Sequence, residues 1–385
     1  MLDFSFTPEQ DLFRQTVRDF ARRELAPNSA TWDRAAAFPP ELPRKMAALG
    51  LLGLRTPAAY GGVEADAVTA GIAAEELARG DFSASYFILL SALLGEILTR
   101  RGTPEQQAEW LSPQSSGERL LGLALTEPHC GSDAQALITR AERDGDQYVI
   151  TGEKTSITFS DVAGAMLVFC KTDPSKGARG ITALMVPLDA PGVGRSRFND
   201  LGSRAVGRGA LHLDHVRVPV ANRIGQEGQG FYAVMQGFDY SRAVIGLMCV
   251  GTAQAALDEA IAYAKERTAF GQPLARYEAI SFSFAEAATL LEAARLLCYK
   301  TLWLRDQEQP HSKEAAMAKW YAPKVAFDVI HQCLLVYGHA GYSDDFRQGQ
   351  RLRDVIGLEI GDGTAEVSKI IIVREMLGRQ FRPYA

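Results

Sequence analysis

Cysteine is scarce and unpatterned in this 385-residue chain: Cys130, Cys170, Cys249, Cys298 and Cys333 make an odd set with no CxxC pair. That excludes a disulfide framework and a zinc knuckle, and it predicts a reducing compartment, the cytoplasm. An excess of basic charge is missing too. The net charge is −5, so nothing favours a nucleic-acid partner, which would need a basic face. The opening MLDFSFTPEQ has no basic segment leading into an apolar one, so no signal peptide is expected. Long apolar runs are also lacking. The stretch 82–98 is broken by Ser91, Gly95 and Glu96, and no membrane span is expected. What is there is an ordinary composition, 47% hydrophobic and 23% charged, on a chain long enough for two or three sizeable cores.

The first 118 residues read as helical. Thr7-Pro8-Glu9-Gln10 has the form of a capping box with proline at the first helical position. Leu12, Phe13, Val17, Phe20, Ala21 and Leu25 then recur at helical spacing. Further helical patterns cover 41–49, 67–78 and 82–98. Between about 120 and 230 the pattern changes to strand-like runs at 148–151, 166–171, 181–187 and 210–218, separated by glycine-rich turns. With no helical pattern between them, an antiparallel barrel or sandwich is expected rather than a parallel sheet. Helical period returns in long stretches at 231–267, 277–307 and 313–337, then at 364–377, which predicts a bundle with a kink at Pro323.

Four short segments carry chemistry. In LALTEPHCGSDA (123–134), Thr126 and Ser132 offer hydroxyls and Gly131 lets backbone approach a ligand. Alone, this suits a polar ring edge or a phosphate, and equally a solvated turn stiffened by Pro128. In ERTAFG (266–271), Arg267 could grip a diphosphate through its two-pronged donor set, or simply end a helix with a favourable charge. Asp362, between Gly361 and Gly363, reads locally as a helix-initiating aspartate ahead of Val367, Ile370, Ile371 and Leu377. Two other patterns lead nowhere. His212 and His215 should lie on opposite faces of a strand, a poor metal site. Gly225, Gly228 and Gly230 lack the strand–GxGxxG–helix context of a dinucleotide site. No metal is expected.

Taken in order, LALTEPHCGSDA, GEKTSIT (152–158), ERTAFG and GDGT (361–364) resemble the flavin-dependent acyl-CoA dehydrogenases along nearly the whole chain. The resemblance implies an α+β multi-domain fold: an all-α domain at 1–118, an antiparallel β-barrel or sandwich at 119–230, and a four-helix bundle at 231–385. It implies FAD, an acyl-CoA substrate, a homotetramer and an electron-transfer flavoprotein as acceptor. Leu123, Leu125, Thr126, Gly131, Ser132, Ser156 and Thr158 are then expected at the flavin. Arg267 is expected at the FAD diphosphate of a neighbouring subunit, Phe270 near the adenine, Leu335, Gly338 and His339 at the FAD, His339 filling space beside its diphosphate, and Thr364 and Glu366 also at the cofactor. Ser132, Phe238, Asp239, Arg242 and Gly363 are expected at the substrate, with Asp362 as the base. The sequence departs from the family pattern at four of these places. Ser156 replaces a tryptophan, Leu335 a glutamine, His339 a glycine, and Asp362 the usual glutamate. The alternative base position of some family members falls at Ser241, which cannot act as a base.

The aspartate narrows the substrate. Its carboxylate is withdrawn by about 1.5 Å, and a displacement of about 1 Å can cost on the order of a hundredfold in rate. A bulkier α-carbon would fill the gap, and the Asp base with the KTSIT segment looks like the cyclohexane-1-carbonyl-CoA dehydrogenase branch. The alternatives are a short- or branched-chain acyl-CoA dehydrogenase and a nitroalkane-oxidase-like flavoenzyme. The latter also uses aspartate but needs no CoA, leaving Ser132 and Arg242 without a purpose. A flavin-binding protein without catalysis would have no need of the carboxylate at 362.

Overall fold

Two identical Thr-Pro-Glu-Gln signatures start two helices of the first region. Thr7 Oγ1 accepts from Gln10 N at 3.2 Å while Gln10 Oε1 accepts from Thr7 N at 3.1 Å, and Thr103 and Gln106 repeat the exchange. The computed structural model describes residues 5–381; residues 1–4 and 382–385, the outer ends of the expected first and third domains, lie outside the described residues. The helices here are α1 (Pro8–Phe20), α2 (Ser29–Ala35), α3 (Leu42–Ala47), α4 (Ala67–Gly80), α5 (Tyr86–Arg101) and α6 (Pro104–Ser115). A π-turn, Ala21–Leu25, prolongs α1. Val17, Phe20, Ala21 and Leu25 form its buried stripe, but Leu12, expected in that stripe, is 69% exposed.

Strands follow: β1 (Leu121–Ala124), β2 (Arg140–Asp144), β3 (Gln147–Ile157), β4 (Ala165–Lys171), β5 (Ile181–Pro187), β6 (Val193–Arg197), β7 (Gly209–Pro219) and β8 (Arg223–Ile224). They form one eight-stranded sheet in the order β6-β7-β3-β2-β4-β5-β8, with β1 beside β4. Most pairs are antiparallel, but β1 and β2 both pair parallel to β4, a mixture that the lack of intervening helices did not predict. In β7 the pairing with β3 shifts register, and His215 takes a left-handed φ of 52°. This irregularity breaks the alternation, so His212 and His215 are both exposed rather than on opposite faces.

The remaining helices are α7 (Gly230–Glu266), α8 (Glu278–Asp306), α9 (Ser312–Val336), α10 (Gln348–Ile360) and α11 (Ala365–Leu377). Helix α9 runs through Pro323 as one assigned element. By length and hydropathy the helical stretch Ser83–Arg101, which contains α5, and α7 could each cross a membrane, but both are mostly buried inside the protein, as core helices apolar on all sides should be. Gly251 lets α7 meet α4 closely: a Cβ there would lie 2.1 Å from the Glu75 carbonyl.

Helix α10 ties the three regions together. Arg347 Nη2 donates to Ser29 Oγ at 2.9 Å and to the Gly80 carbonyl at 2.6 Å, and Ser29 Oγ donates to Asp81 at 2.5 Å. Arg353 pairs with Asp33 at 2.6 Å, and Asp354 accepts from Ser203 N at 2.6 Å. Burial, only partly offset by that Ser203 N–H, pushes the Asp354 carboxyl up from 3.8 to about 7. The folded chain therefore holds a proton that the unfolded chain gives up, and stability from this group declines as pH rises from about 4 to about 7. Asp354→Asn, which keeps the acceptor oxygen, should flatten that slope and raise the melting temperature above neutral pH. Calorimetry across this range checks it; an unchanged slope contradicts it.

Candidate active site

The end of β1 and the end of β3 meet to form one wall. Leu121, Ala124 and Leu125 are buried, and Leu123 is partly exposed. Beyond them the Thr126 carbonyl accepts from Thr155 N at 2.9 Å, and Glu127 and Cys130 exchange two backbone bonds of 3.1 Å. The loop then turns outward, leaving Gly131 and Ser132 exposed. A Cβ on Gly131 would meet only the Thr126 methyl, at 3.9 Å, so the backbone there is open to a ligand. On β3, exposed Ser156 has a left-handed φ of 59° and Thr158 is partly exposed. The side-chain hydroxyls of Thr126, Ser132 and Thr158 make no hydrogen bond among the described residues. Free hydroxyls and open backbone at the edge of a rigid sheet fit a polar ring edge. Ser156 stands where the family pattern has a tryptophan, and the next aromatic along the chain is Phe159, fully buried and 5.0 Å from the Phe87 ring.

Asp362 sits where α10 hands over to α11. It does not cap the helix: Thr364 does, its Oγ1 accepting from Val367 N at 3.3 Å. Released from that duty, Asp362 has a left-handed φ of 54° between Gly361 and Gly363, a conformation that Asp adopts more readily than most residues. Its Oδ2 receives only a long 3.5 Å hydrogen bond from Ser241 Oγ, and no ion pair among the described residues reaches it. Burial raises its pKa, an effect opposed by Lys319, Arg242 and the Ser241 bond. Arg242 is itself buried, 2.9 Å from Asp239, which in turn accepts from Ser312 at 2.5 Å. Its Nε has no partner among the described residues. Phe238 is buried in the same cluster as Leu125, Cys130 and Leu167, which joins the start of α7 to the β1 wall.

A third group lies elsewhere. Arg267, Leu335, Gly338 and His339 line a cavity of about 560 Å³ with Tyr263 and Tyr337, whose rings stack at 4.3 Å. Arg267 is exposed and has no carboxylate partner among the described residues, an arrangement suited to a diphosphate. Phe270, 99% exposed, is not in that lining. Neither are Thr126, Thr158 or Asp362. Thr364 caps α11 and Glu366 lies on its first turn, exposed.

Three residues of consequence, Tyr86, Lys154 and Glu127, had no role assigned from the sequence. Tyr86, at the start of α5, feels the charge of Asp362, and burial raises its pKa. Lys154 is fully buried and donates to the Leu125 carbonyl at 3.0 Å and to Glu127 at 2.7 Å. Glu127 also accepts from Ile138 N and Thr139 N at 2.7 and 3.0 Å. Burial would raise the Glu127 carboxyl, but Lys154 and these N–H groups hold it below its ordinary value. This pair fixes the loop that carries Thr126. Glu127, His129 and Cys130 bring ligand atoms within 4.8 Å of one another. The carboxylate is already filled, however, and burial raises the Cys130 thiol.

Three family profiles match the chain in succession: acyl-CoA dehydrogenase N-terminal domain at 7–118, middle domain at 122–216 and C-terminal domain at 228–377. The chain is 38% identical to a probable acyl-CoA dehydrogenase, YngJ, of Bacillus subtilis (strain 168), over 98% of this chain and 100% of that one. It is 36% identical to the CarC subunit of the caffeyl-CoA reductase–Etf complex of Acetobacterium woodii, over 95% and 98% respectively. The solved butyryl-CoA dehydrogenase of Megasphaera elsdenii superposes with a TM-score of 0.95 at 32% identity, covering 98% of this chain and 100% of that one.

Lys154→Met should destabilise the protein by about 3–5 kcal/mol, because it strands the buried Glu127 charge. Adding Glu127→Gln should recover part of that loss. Urea unfolding checks both; a single variant as stable as native would show that the pair does not hold this loop.

Proposed function

Since the chain belongs to the acyl-CoA dehydrogenase family and is an FAD-dependent oxidoreductase, we propose that it removes an α-proton and a β-hydride from an acyl-CoA thioester, with Asp362 as the base. The observation that carries this is the part-buried carboxylate of Asp362, bound among the described residues only by one long bond from Ser241. Burial raises its proton affinity, which suits it to a weakly acidic C–H. FAD, when bound, supplies the hydride acceptor. Thr126, Gly131, Ser156 and Thr158 would hold its ring system beside Leu123 and Leu125, and Thr364 and Glu366 would add contacts. Ser132, Phe238, Asp239, Arg242 and Gly363 would line the path of the thioester. Backbone N–H groups at the Asp362 turn would polarise the thioester carbonyl as negative charge develops.

The Arg267 cavity is separate from this wall, and we assign it with Phe270, Leu335, Gly338 and His339 to the FAD diphosphate of a second copy. Phe270 and Tyr342, 99% and 90% exposed, and Trp303, 55% exposed, support a homotetramer in which such surfaces are covered. Domain limits at 118/119 and 230/231 and a cytoplasmic location belong to the same reading, the latter supported by five buried, unbridged cysteines. An electron-transfer flavoprotein is the proposed acceptor, in keeping with the similarity to CarC of the caffeyl-CoA reductase–Etf complex.

For the acyl group, the short reach of Asp362 favours a bulky α-carbon, and cyclohexane-1-carbonyl-CoA, oxidised to the 1-ene, is the proposed substrate. A short straight chain is the second reading, favoured by the similarity to butyryl-CoA dehydrogenase. Anaerobic flavin bleaching by cyclohexane-1-carbonyl-CoA and by butyryl-CoA separates them: a native preference for butyryl-CoA would overturn the alicyclic assignment alone.

Asp362→Asn should keep FAD and ligand binding and lose about 10²-fold or more in turnover. Asp362→Glu should move preference toward the straight chain. A fully active Asp362→Asn would mean that another group takes the proton.

A further inference from the structure

Lys319 is fully buried in the middle of α9. Its Nζ donates to the carbonyl of Leu358 at 2.6 Å and to that of Gly363 at 3.0 Å. These carbonyls lie on either side of Asp362. Leu358 belongs to the last turn of α10, where carbonyls lack helical partners. Gly363 directly follows the aspartate in the turn that enters α11. The ammonium thus bridges the two arms of the turn that presents the carboxylate. No acidic side chain among the described residues lies within ion-pair distance of it, so a full charge is enclosed without a direct counter-ion, a costly arrangement. Burial accordingly pulls Lys319 down to about 8, against the opposing influence of Asp362.

We propose that Lys319 is a positioning residue for the dehydrogenation: it clamps the 358–363 turn so that Asp362 faces the substrate, and its charge keeps that carboxylate ionised. The proposal rests on the reading of Asp362 as the base. The groups that face Lys319 are Asp362 from the turn, Arg242 and Cys249 from α7 and Glu359 from α10. Those that face Asp362 are Lys319 from α9, Arg242 and Ser241 from α7 and Tyr86 from α5. Arg242 is already engaged by Asp239, whereas Lys319 spends its bonds on neutral carbonyls, so its charge is the less compensated of the two. Removing it lets burial raise the Asp362 carboxyl further, and the acid limb of the rate profile moves to higher pH.

Four FAD-loaded variants test this: Lys319→Met, which removes clamp and charge; Lys319→Gln, which keeps an N–H donor without the charge; Lys319→Arg, which keeps the charge; and Asp362→Asn. Flavin bleaching by whichever of cyclohexane-1-carbonyl-CoA and butyryl-CoA the native protein prefers is followed anaerobically across the acidic and neutral range. The carboxylic C=O stretch that Asp362→Asn abolishes is titrated in parallel by infrared difference spectroscopy. In Lys319→Gln and Lys319→Met both the acid limb and this band should titrate about one pH unit higher, with KM near native, and Lys319→Met should also lose about tenfold or more in limiting rate. Lys319→Arg should keep the native acid limb. If Lys319→Met fails to fold, Lys319→Gln carries the same test. An unshifted limb and band in Lys319→Gln, with Asp362→Asn inactive, overturns the role of Lys319 and leaves the base in place. An active Asp362→Asn overturns both.

Discussion

Keeping a carboxylate charged inside a protein is the constraint around which this structure is arranged. As the proposed base, Asp362 must be enclosed enough to gain proton affinity, yet ionised when a substrate arrives. Burial alone would favour the neutral acid. The opposition comes from cations on two different helices, Arg242 on α7 and Lys319 on α9, and from the Ser241 hydroxyl. Both cations are themselves buried and both have lowered pKa values as a result. None of the three groups would be tolerable alone at this depth. Together with Asp239, the partner of Arg242, they form a charge-balanced cluster where α7, α9 and the α10–α11 turn meet.

The same solution appears at the other wall. Lys154 and Glu127 are buried as a direct pair and share their remaining bonding capacity with backbone: the Leu125 carbonyl on one side, the Ile138 and Thr139 N–H groups on the other. In each case a lysine from a rigid element reaches the carbonyls of an irregular segment and fixes it. Rigid placement of a loop against a helix or strand is what catalytic geometry within a fraction of an ångström demands. The long apolar α7 connects the two walls, with Phe238 against β1 near one end and Ser241 against Asp362 one turn later.

Much of the fold was legible because it obeys local rules. The Thr-Pro-Glu-Gln box, the long helical periods and the strand runs all correspond to elements with boundaries shifted by a few residues. The second Thr-Pro-Glu-Gln, at 103–106, was equally readable and marks α6, which the apolar periodicity did not reveal. What local pattern could not give was whatever depends on contacts distant in sequence. Leu12 fits the α1 stripe by spacing but faces solvent. The parallel placement of β1 and β2 against β4 is a matter of sheet topology. His212 and His215 share exposure because one residue adopts a left-handed φ. At the candidate site, GDGT singled out Asp362 as the proposed base by resemblance, while its local reading as a helix cap was wrong because Thr364 takes that role. The roles of Lys319, Lys154 and Tyr86 were not legible, although Lys154 falls inside GEKTSIT: a lysine or tyrosine in a helix or strand looks like a surface residue until its neighbours are known.

The central claim, that Asp362 takes the α-proton, is tested most directly without hydride transfer. A thioester whose β-carbon is replaced by sulfur keeps the α-proton but has no β-hydride to give. Incubated with the FAD-loaded protein in D₂O, it should exchange its α-hydrogens for deuterium in the presence of the native chain, as followed by proton NMR, and should not exchange in the presence of Asp362→Asn. Exchange at the native rate by Asp362→Asn, with its flavin content intact, would contradict the account.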